Sequence, residues 1–226
     1  GIYLQDDAFC ERLPWPIETI PKEHFPLLLH YHPLVIYRHQ VCKQADLILA
    51  LFLRGECFTL EQKRKIFDFY EPLTTHDSSL SKAVFSIVAN EVGYREKAYR
   101  FFEGAARLDL EDGQGNSRDG LHMANMAGTW LSIVYGFAGM REKEQTLSFR
   151  PALPDAWKKL AFCVCFRGRR LQVSLEKNKT VYQLTEGLDL TEKGKKWLGE
   201  YRQLIRRLRV YFQEMGMDEA ETEGNV

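Results

Sequence analysis

The spacing of apolar and polar positions changes twice along the chain. Residues 41–137 repeat apolar side chains every three or four positions, which predicts a series of helices. Residues 147–184 alternate apolar and polar side chains, which predicts a small antiparallel sheet. A helical period returns over residues 191–214, with a basic opposite face. The pattern therefore predicts a mainly helical part, a small β-rich part and a terminal helix.

Residues 1–40 follow neither period. Five prolines lie in this stretch, and proline removes a backbone donor and clashes with the preceding helical turn. We expect an irregular segment with short helical turns at most, near residues 26–30. Four histidines also occur here without an acidic partner at helical spacing, so their pattern does not favour a metal site. They are His24, His30, His32 and His39.

Within residues 41–137 the pattern predicts helices joined by short polar turns. The segment at 41–54 ends before Gly55, which is suited to the position after a helix. Thr59 and Gln62 have the spacing of a capping box. The segment at 121–137 is apolar nearly all round, which predicts a buried helix. The predicted helices are 41–54, 59–71, 81–92, 94–108 and 121–137.

The β-rich part reads as strands around 147–149, 162–166, 171–175 and 181–184. Glycine and asparagine at residues 167–169 and 177–179 predict turns between the last three of these strands. Residues 216–226 are acidic and nearly free of apolar side chains, which predicts a disordered tail.

Composition narrows the function classes. Lys and Arg total 31, as do Asp and Glu, so no net field favours nucleic acid or a membrane surface. The sequence has neither a run of about 18 apolar residues nor the order of a signal peptide, which predicts a cytoplasmic protein. The cysteines have no spacing typical of metal or disulfide sites. They are Cys10, Cys42, Cys57, Cys163 and Cys165.

The polar turn at residues 71–81 is the part of the chain richest in site chemistry. It combines carboxylates, an imidazole and paired serines directly before a predicted helix. Asp77 or Ser78 can act as the cap of that helix. The same hydroxyls, with the free N–H groups of a helix N-terminus, can also bind an anion. Both interpretations fit the residues.

Further polar groups occupy equivalent places at helix starts and in the turns beside them. In a stack of helical hairpins these places share one rim, so the groups can converge on one pocket. A lysine, hydroxyls and an imidazole suit a phosphate, whereas a carboxylate and an amide suit sugar hydroxyls. Each also has a purely structural explanation as a solvated, surface or buried polar residue. The candidates are Lys43, Gln44, Glu71, Ser78, Ser79 and His122.

Several motifs in order resemble glycoside hydrolase family 65, which contains the maltose, trehalose, kojibiose and nigerose phosphorylases. The resemblance covers residues 1–185. It rests on Lys43-Gln44-Ala45-Asp46, Tyr70-Glu71-Pro72-Leu73-Thr74, His76-Asp77-Ser78-Ser79-Leu80-Ser81, Asp119-Gly120-Leu121-His122, Met126-Ala127-Gly128-Thr129-Trp130, Leu147-Ser148-Phe149 and Leu153-Pro154.

The resemblance implies the C-terminal half of an (α/α)6 barrel at residues 1–140, a small antiparallel β-domain at 141–190, and a helix with an acidic tail at 191–226. It implies phosphorolysis of an α-glucoside with inversion, which releases β-glucose 1-phosphate. Inorganic phosphate is then a co-substrate, and no cofactor or metal is expected. By motif, Ser78, Ser79 and His122 resemble the phosphate-binding residues. The residues that resemble the glucose site are Lys43, Gln44 and Glu71.

One departure from the family is important. The family's general acid is the glutamate of a Gly-Pro-Asp-Glu-Tyr-His run, which these 226 residues lack. We therefore expect no catalytic residue in this chain and no activity from it alone. The expected partners are an N-terminal remainder of the enzyme, the disaccharide, phosphate and a second copy in a homodimer. The alternatives are a family hydrolase, for which Ser78 and Ser79 are poorly suited, and a non-catalytic helical interaction module.

Overall fold

The computed structural model describes residues 1–44, 46–143 and 146–186. The predicted helix at 191–214 and the predicted tail at 216–226 lie outside these residues. Contacts divide the chain into two compact units, one that ends at Pro154 and one that begins at Asp155. The domain boundary predicted after residue 140 stays a prediction. No helix in the described part of the chain is long and apolar enough to cross a membrane.

The N-terminal segment is irregular, as its prolines predict. It contains only short elements, and a small cluster of Trp15, Leu27 and Ile36 packs them together. Its elements are 3-10 turns at Phe9–Glu11, Ile17–Thr19 and Lys22–His24, helices α1 (Leu27–His30) and α2 (Pro33–Ile36), and the paired strands β1 (Leu13–Pro14) and β2 (His39–Gln40).

Helical hairpins follow, as predicted. In α4 both bonds of the predicted capping box form, since the Thr59 hydroxyl accepts from the Gln62 N–H and the Gln62 side chain accepts from the Thr59 N–H. The core between the helices contains fully buried Phe67, Phe85 and Phe137. The helices are α3 (Asp46–Leu53), α4 (Leu60–Tyr70), α5 (Ser81–Glu91), α6 (Arg95–Ala106) and α7 (Met123–Leu131).

The helix predicted at 41–54 is shorter than its pattern indicates. Cys42 is paired in an isolated β-bridge with Thr74, in which its N–H donates to the Leu73 carbonyl and its carbonyl accepts from Thr75. This pairing uses the backbone groups that a helix would need, so α3 begins only at Asp46. Gly55 does not cap the helix either, because it starts a 3-10 turn that runs to Cys57.

Helices α5 and α7 run parallel. The Ser132 hydroxyl, just after α7, donates to the Ala83 carbonyl in the first turn of α5. Further along both segments, the Asn90 side chain donates to the Gly136 carbonyl. Because both contacts progress in the same direction, the N-termini of the two helices lie at the same end of the bundle.

Helices α4 and α6 run in the opposite direction. In α4, Phe67 packs edge-to-face against Phe85, while the earlier residue Lys63 reaches Glu91 at the end of α5. In α6, the Ala98 carbonyl accepts from Ser86, and the later residues of α6 lie beside the start of α5. The last turns of α4 and α6 therefore lie beside the first turn of α5.

Helix α3 starts at the same end. Cys42, four residues before α3, pairs with Thr74, which follows α4, while Phe52 in the last turn of α3 packs on Tyr135 after α7. We call this end the N-terminal rim: it comprises the starts of α3, α5 and α7 and the ends of α4 and α6. The rim collects the turns that the sequence marks as rich in polar groups.

The helix predicted at 121–137 is not buried all round. Helix α7 begins at Met123, and one of its faces is open: Met123 is 70% exposed, Met126 41% and Trp130 45%. The open face has no neighbour among the described residues, which is why the apolar pattern overestimates burial. From Ser132 to Phe137 the helix widens into a π-helical turn, whose Gly136 carbonyl is satisfied by Asn90.

The strand predicted at 147–149 does not join the main sheet. Strand β4 (Thr146–Ser148) pairs only with β3 (Arg141–Lys143), and this hairpin belongs to the helical unit. The Phe137 carbonyl accepts from the Ala152 N–H, and the Gly139 carbonyl accepts from Arg150, which secures the chain after the hairpin.

The second unit contains the predicted three-stranded antiparallel sheet. Strands β5 (Lys159–Phe166), β6 (Arg169–Glu176) and β7 (Lys179–Glu186) pair in chain order. Arg167 and Gly168 both have positive φ, as a tight two-residue hairpin turn requires. Val173 and Leu175 form the buried face of β6. The prediction of this small sheet is confirmed.

Candidate functional site

The polar turn at 71–81 connects several segments at the N-terminal rim. The Asp77 carboxylate accepts from the Leu27 N–H at 2.8 Å, and its carbonyl accepts from the Gln114 side chain at 3.1 Å. With the Cys42 pairing, these bonds bring three distant parts of the chain to one turn. Asp77 is therefore not a cap of α5, as the sequence allowed, because its carboxylate is used by the N-terminal segment instead.

The paired serines lie directly before α5. The Ser78 hydroxyl accepts from the Leu80 N–H at 3.3 Å, one residue before the helix, and α5 has no side-chain cap. In the described part of the chain nothing hydrogen-bonds to the Ser79 hydroxyl, and both serines are half-buried. The expected cap by Ser78 is thus wrong for α5 itself. The N–H of Ser81, the first residue of α5, donates to the Ser78 carbonyl at 3.1 Å and is not available to a ligand.

The His76 side chain packs against the core beneath the turn and does not belong to a binding surface. Its backbone has a positive φ, and its ring contacts Phe85 and Phe101 while Nδ1 lies 2.9 Å from the Ser81 hydroxyl. Burial, and secondarily the charge of Lys82, lowers the pKa of His76 to about 4. The imidazole is neutral near pH 7 and supplies no positive charge to an anion.

Stability should therefore fall as His76 titrates. Its pKa is 6.5 when unperturbed and about 4 in the fold, so the unfolded chain binds the proton first as pH decreases. Stability is complete above pH 6.5 and is lost toward pH 4, by about 2 kcal/mol at pH 5. Urea unfolding of the parent and of His76→Asn, whose side chain tolerates positive φ, measures this loss. The same pH dependence in both proteins would contradict the assignment.

His122 lies at the start of α7 and is held by Asp109. The Asp109 Oδ2 atom accepts from the His122 N–H at 3.0 Å, and Oδ1 lies 2.5 Å from Nδ1 of the ring. The hydrogen bond from His122 is the main cause that lowers the pKa of Asp109. An ionised carboxylate only accepts hydrogen bonds, so Nδ1 carries a proton. The His122 side chain is partly exposed, and only its Nδ1 atom has a hydrogen-bond partner among the described residues.

Glu71 follows α4 at the same rim. Its Oε2 atom forms a salt bridge of 2.7 Å with Lys97 of α6, and the two side chains are 28% and 36% exposed. The Lys97 ammonium also lies 5.7 Å from the centre of the Tyr94 ring. The pairing directs the Glu71 carboxylate toward Lys97 in the first turn of α6, and no hydrogen-bond partner of its Oε1 atom is found in the described part of the chain.

Lys43 and Gln44 lie between the Cys42 bridge and α3. The Gln44 side chain donates to Asp46 at 3.1 Å. Lys43 is exposed, and no acid in the described part of the chain pairs with it. A lysine without a counter-ion at the rim is a donor that remains free for a phosphate or a sugar oxygen.

Two partners of the site escaped the sequence-based prediction, namely Asp109 and Lys97. Asp109 and Lys97 lie 13 and 26 residues from their partners, and no periodic pattern connects them. Across the described residues, no group of three or more His, Cys, Asp or Glu side chains could hold a metal ion. A groove of about 460 Å³ in the second unit, beside Trp157, is lined by none of the candidate residues.

Comparison with known proteins finds two family profiles that match this chain. Residues 1–131 match the sequence profile described as "Glycosyl hydrolase family 65 central catalytic domain", and residues 140–197 match "Glycosyl hydrolase family 65, C-terminal domain". The alpha,alpha-trehalose phosphorylase of Thermoanaerobacter brockii is 51% identical over 82% of this chain, which is 24% of the relative. The maltose phosphorylase of Bacillus subtilis (strain 168) is 37% identical over 82% of this chain and 25% of its own.

A solved structure is similar to this chain in both sequence and fold. The protein described as "Putative kojibiose phosphorylase from human microbiome" superposes with a TM-score of 0.77 at 34% identity, over 82% of this chain and 26% of that one. The chain spans about a quarter of the length of the curated relatives it matches.

Proposed function

The chain belongs to glycosyl hydrolase family 65, and from this membership we propose that it is part of an inverting disaccharide phosphorylase and holds the phosphate site and part of the glucose site. The proposal rests on the arrangement of helices at the N-terminal rim. Parallel α3, α5 and α7 direct the starts of three helices to one end, where the candidate donors lie. Helix starts favour anions because their N–H groups are unpaired and their dipole ends are positive.

In this proposal Ser78, Ser79 and His122 bind inorganic phosphate. Lys43, Gln44 and Glu71 bind hydroxyls of the glucose unit, and Lys97 fixes Glu71 through their salt bridge. The alternating directions of the helices are those of an (α/α)6 barrel, of which this chain would supply one part.

The reaction follows from this assignment. A phosphate oxygen attacks the anomeric carbon from the face opposite the glycosidic bond, and the bond to the leaving sugar oxygen breaks. A protonated carboxyl group gives that oxygen its proton, and the products are β-glucose 1-phosphate and the released sugar. The nucleophile needs no protein base, so one carboxylic acid suffices, and we place that acid outside these 226 residues.

The serines at the proposed phosphate site argue against the alternative of a family hydrolase. Inverting hydrolysis needs a carboxylate base that activates water. Here Asp77 is bonded to the Leu27 N–H, Asp109 to His122, and Glu71 to Lys97. The serines offer an anion hydroxyl donors but cannot act as that base. The disaccharide substrates that the relatives suggest are trehalose, maltose and kojibiose.

Replacing both Ser78 and Ser79 by alanine should raise the dissociation constant for phosphate at least about tenfold, because two hydroxyl donors to a charged ligand are lost. Line broadening of inorganic phosphate in ³¹P NMR measures this weak binding. The matched control is Thr59→Ala, which removes the hydroxyl that caps α4 at the far end of the bundle and should leave phosphate binding unchanged. Absence of phosphate binding by the unmodified chain would favour a non-catalytic helical module and overturn the proposal.

A further inference from the structure

The Asp109 carboxylate contacts both the backbone N–H and the ring of His122. It follows α6 in the chain, its side chain is 9% exposed, and its two oxygens serve two different N–H groups of one residue. Oδ2 accepts from the His122 backbone and Oδ1 from the ring. One carboxylate therefore fixes both the entry of the chain into α7 and the rotation of the imidazole.

The pairing leaves one ring atom for a ligand. Nδ1 is occupied by Asp109, while Nε2 has no hydrogen-bond partner among the residues that the structure describes. The His122 side chain is 19% exposed, so the described residues do not fully enclose the ring. The residues that follow lie in the first turn of α7, which has no side-chain cap.

We propose that Asp109 is the positioning residue of the phosphate site, which holds His122 so that Nε2 is the ring atom that contacts phosphate. This inference rests on the proposed phosphate role of His122. It applies in both protonation states of the ring. A neutral ring accepts the P–O–H hydrogen of HPO₄²⁻ at Nε2, and a protonated ring donates from Nε2 to a phosphate oxygen. Without Asp109 the neutral ring can carry its proton on either nitrogen and rotate.

Asp109→Ala should change two measurements together. In long-range ¹H–¹⁵N spectra at alkaline pH, the His122 proton should move from Nδ1 in the parent toward Nε2 in the variant. The dissociation constant for inorganic phosphate, measured by ³¹P NMR, should rise about tenfold, as when a group that orients a ligating histidine is removed.

Asp109→Asn is the second variant, in case the alanine variant does not fold. An amide has one accepting oxygen and a donating NH₂ group, so it can satisfy only one of the two His122 N–H groups. Its effect on phosphate affinity should therefore lie between those of the parent and of Asp109→Ala.

Asp112→Ala is the matched control. Asp112 lies three residues further along the same loop, and its carboxylate likewise accepts a backbone and a side-chain hydrogen bond, here from Ser117. Its loss should disturb the loop without changing the His122 tautomer. A similar loss of phosphate affinity in both variants would show a general effect of the loop and overturn the positioning role.

The outcomes separate this inference from the proposed function. If the parent binds phosphate but His122 keeps its Nδ1 proton and its affinity in both Asp109 variants, the positioning role is wrong while the phosphate site stands. If the parent does not bind phosphate, the proposed function fails, and the ring spectra then report only how Asp109 orients His122.

Discussion

Gly139→Ala is expected to lower the free energy of unfolding by about 3 to 5 kcal/mol. A Cβ atom at this position would lie 2.1 Å from the Arg150 carbonyl oxygen and 2.7 Å from its carbonyl carbon. Those atoms belong to the backbone and cannot rotate away. Gly139 also has a φ of +62°, which is unfavourable for alanine. Urea unfolding followed by circular dichroism measures the loss.

Gly115→Ala is the control for Gly139→Ala because it isolates the backbone cost. Gly115 has nearly the same φ, +68°, but a Cβ atom there would meet nothing within 4 Å. Only the left-handed conformation is penalised, so we expect a loss of about 1 kcal/mol. Equal losses in the two variants would mean that the close approach of Gly139 to Arg150 does not matter for stability.

The change of period after Gly139 was visible in the sequence, but the reason for the glycine was not. The residue lies two positions after the π-helical turn, which ends at Phe137, and the returning segment at 150–152 passes directly over it. This packing depends on a contact between positions 11 residues apart, which no local pattern encodes. A glycine at a predicted boundary thus indicates a turn, whereas its steric role appears only in the fold.

The helical hairpins and the three-stranded sheet could be predicted because period and turn chemistry specify them locally. The sequence also predicted that Ser78, Ser79 and His122 lie at one rim. Hairpins alternate in direction, so every second helix starts at the same end. The capping of α5 could not be predicted in the same way. The Asp77 carboxylate accepts a hydrogen bond from Leu27, 50 residues away, and does not cap α5.

Two failures have a common physical origin. A strongly apolar helix predicts burial, but the exposed fractions of Met123 and Trp130 depend on whether another segment covers them. Likewise, the pattern of residues 41–54 predicts a helix over its full length, but Cys42 forms a β-bridge instead. Intrinsic preference is weak compared with a tertiary contact, so both errors lie where distant segments meet.

Glu91→Leu is expected to destabilise the helical unit by about 3 kcal/mol, because it leaves a buried cation without its counter-ion. The Glu91 carboxylate binds Lys63 through Oε1 and Arg141 through Oε2, the latter at 2.9 Å. The Lys63 side chain is only 5% exposed, so water cannot replace the lost partner. Urea unfolding measures the change.

The double variant Lys63→Met with Glu91→Leu tests the electrostatic cause of this loss. Removing both charges should restore part of the stability lost in Glu91→Leu, since no unpaired buried cation remains. Glu61→Ala breaks an exposed pair with Lys65 on the same helix, α4, and should not change stability measurably. A double variant no more stable than Glu91→Leu would indicate that packing, and not charge, determines the loss.

The same variant separates stability from ligand binding. Glu91 is the last residue of α5, whereas Ser78 and Ser79 precede the first, so the ion cluster lies at the end opposite the N-terminal rim. Folded Glu91→Leu protein, at a temperature well below its unfolding transition, should bind phosphate as the parent does. Weaker phosphate binding by that folded protein would mean that the two ends of α5 are coupled and that the rim is not an independent site.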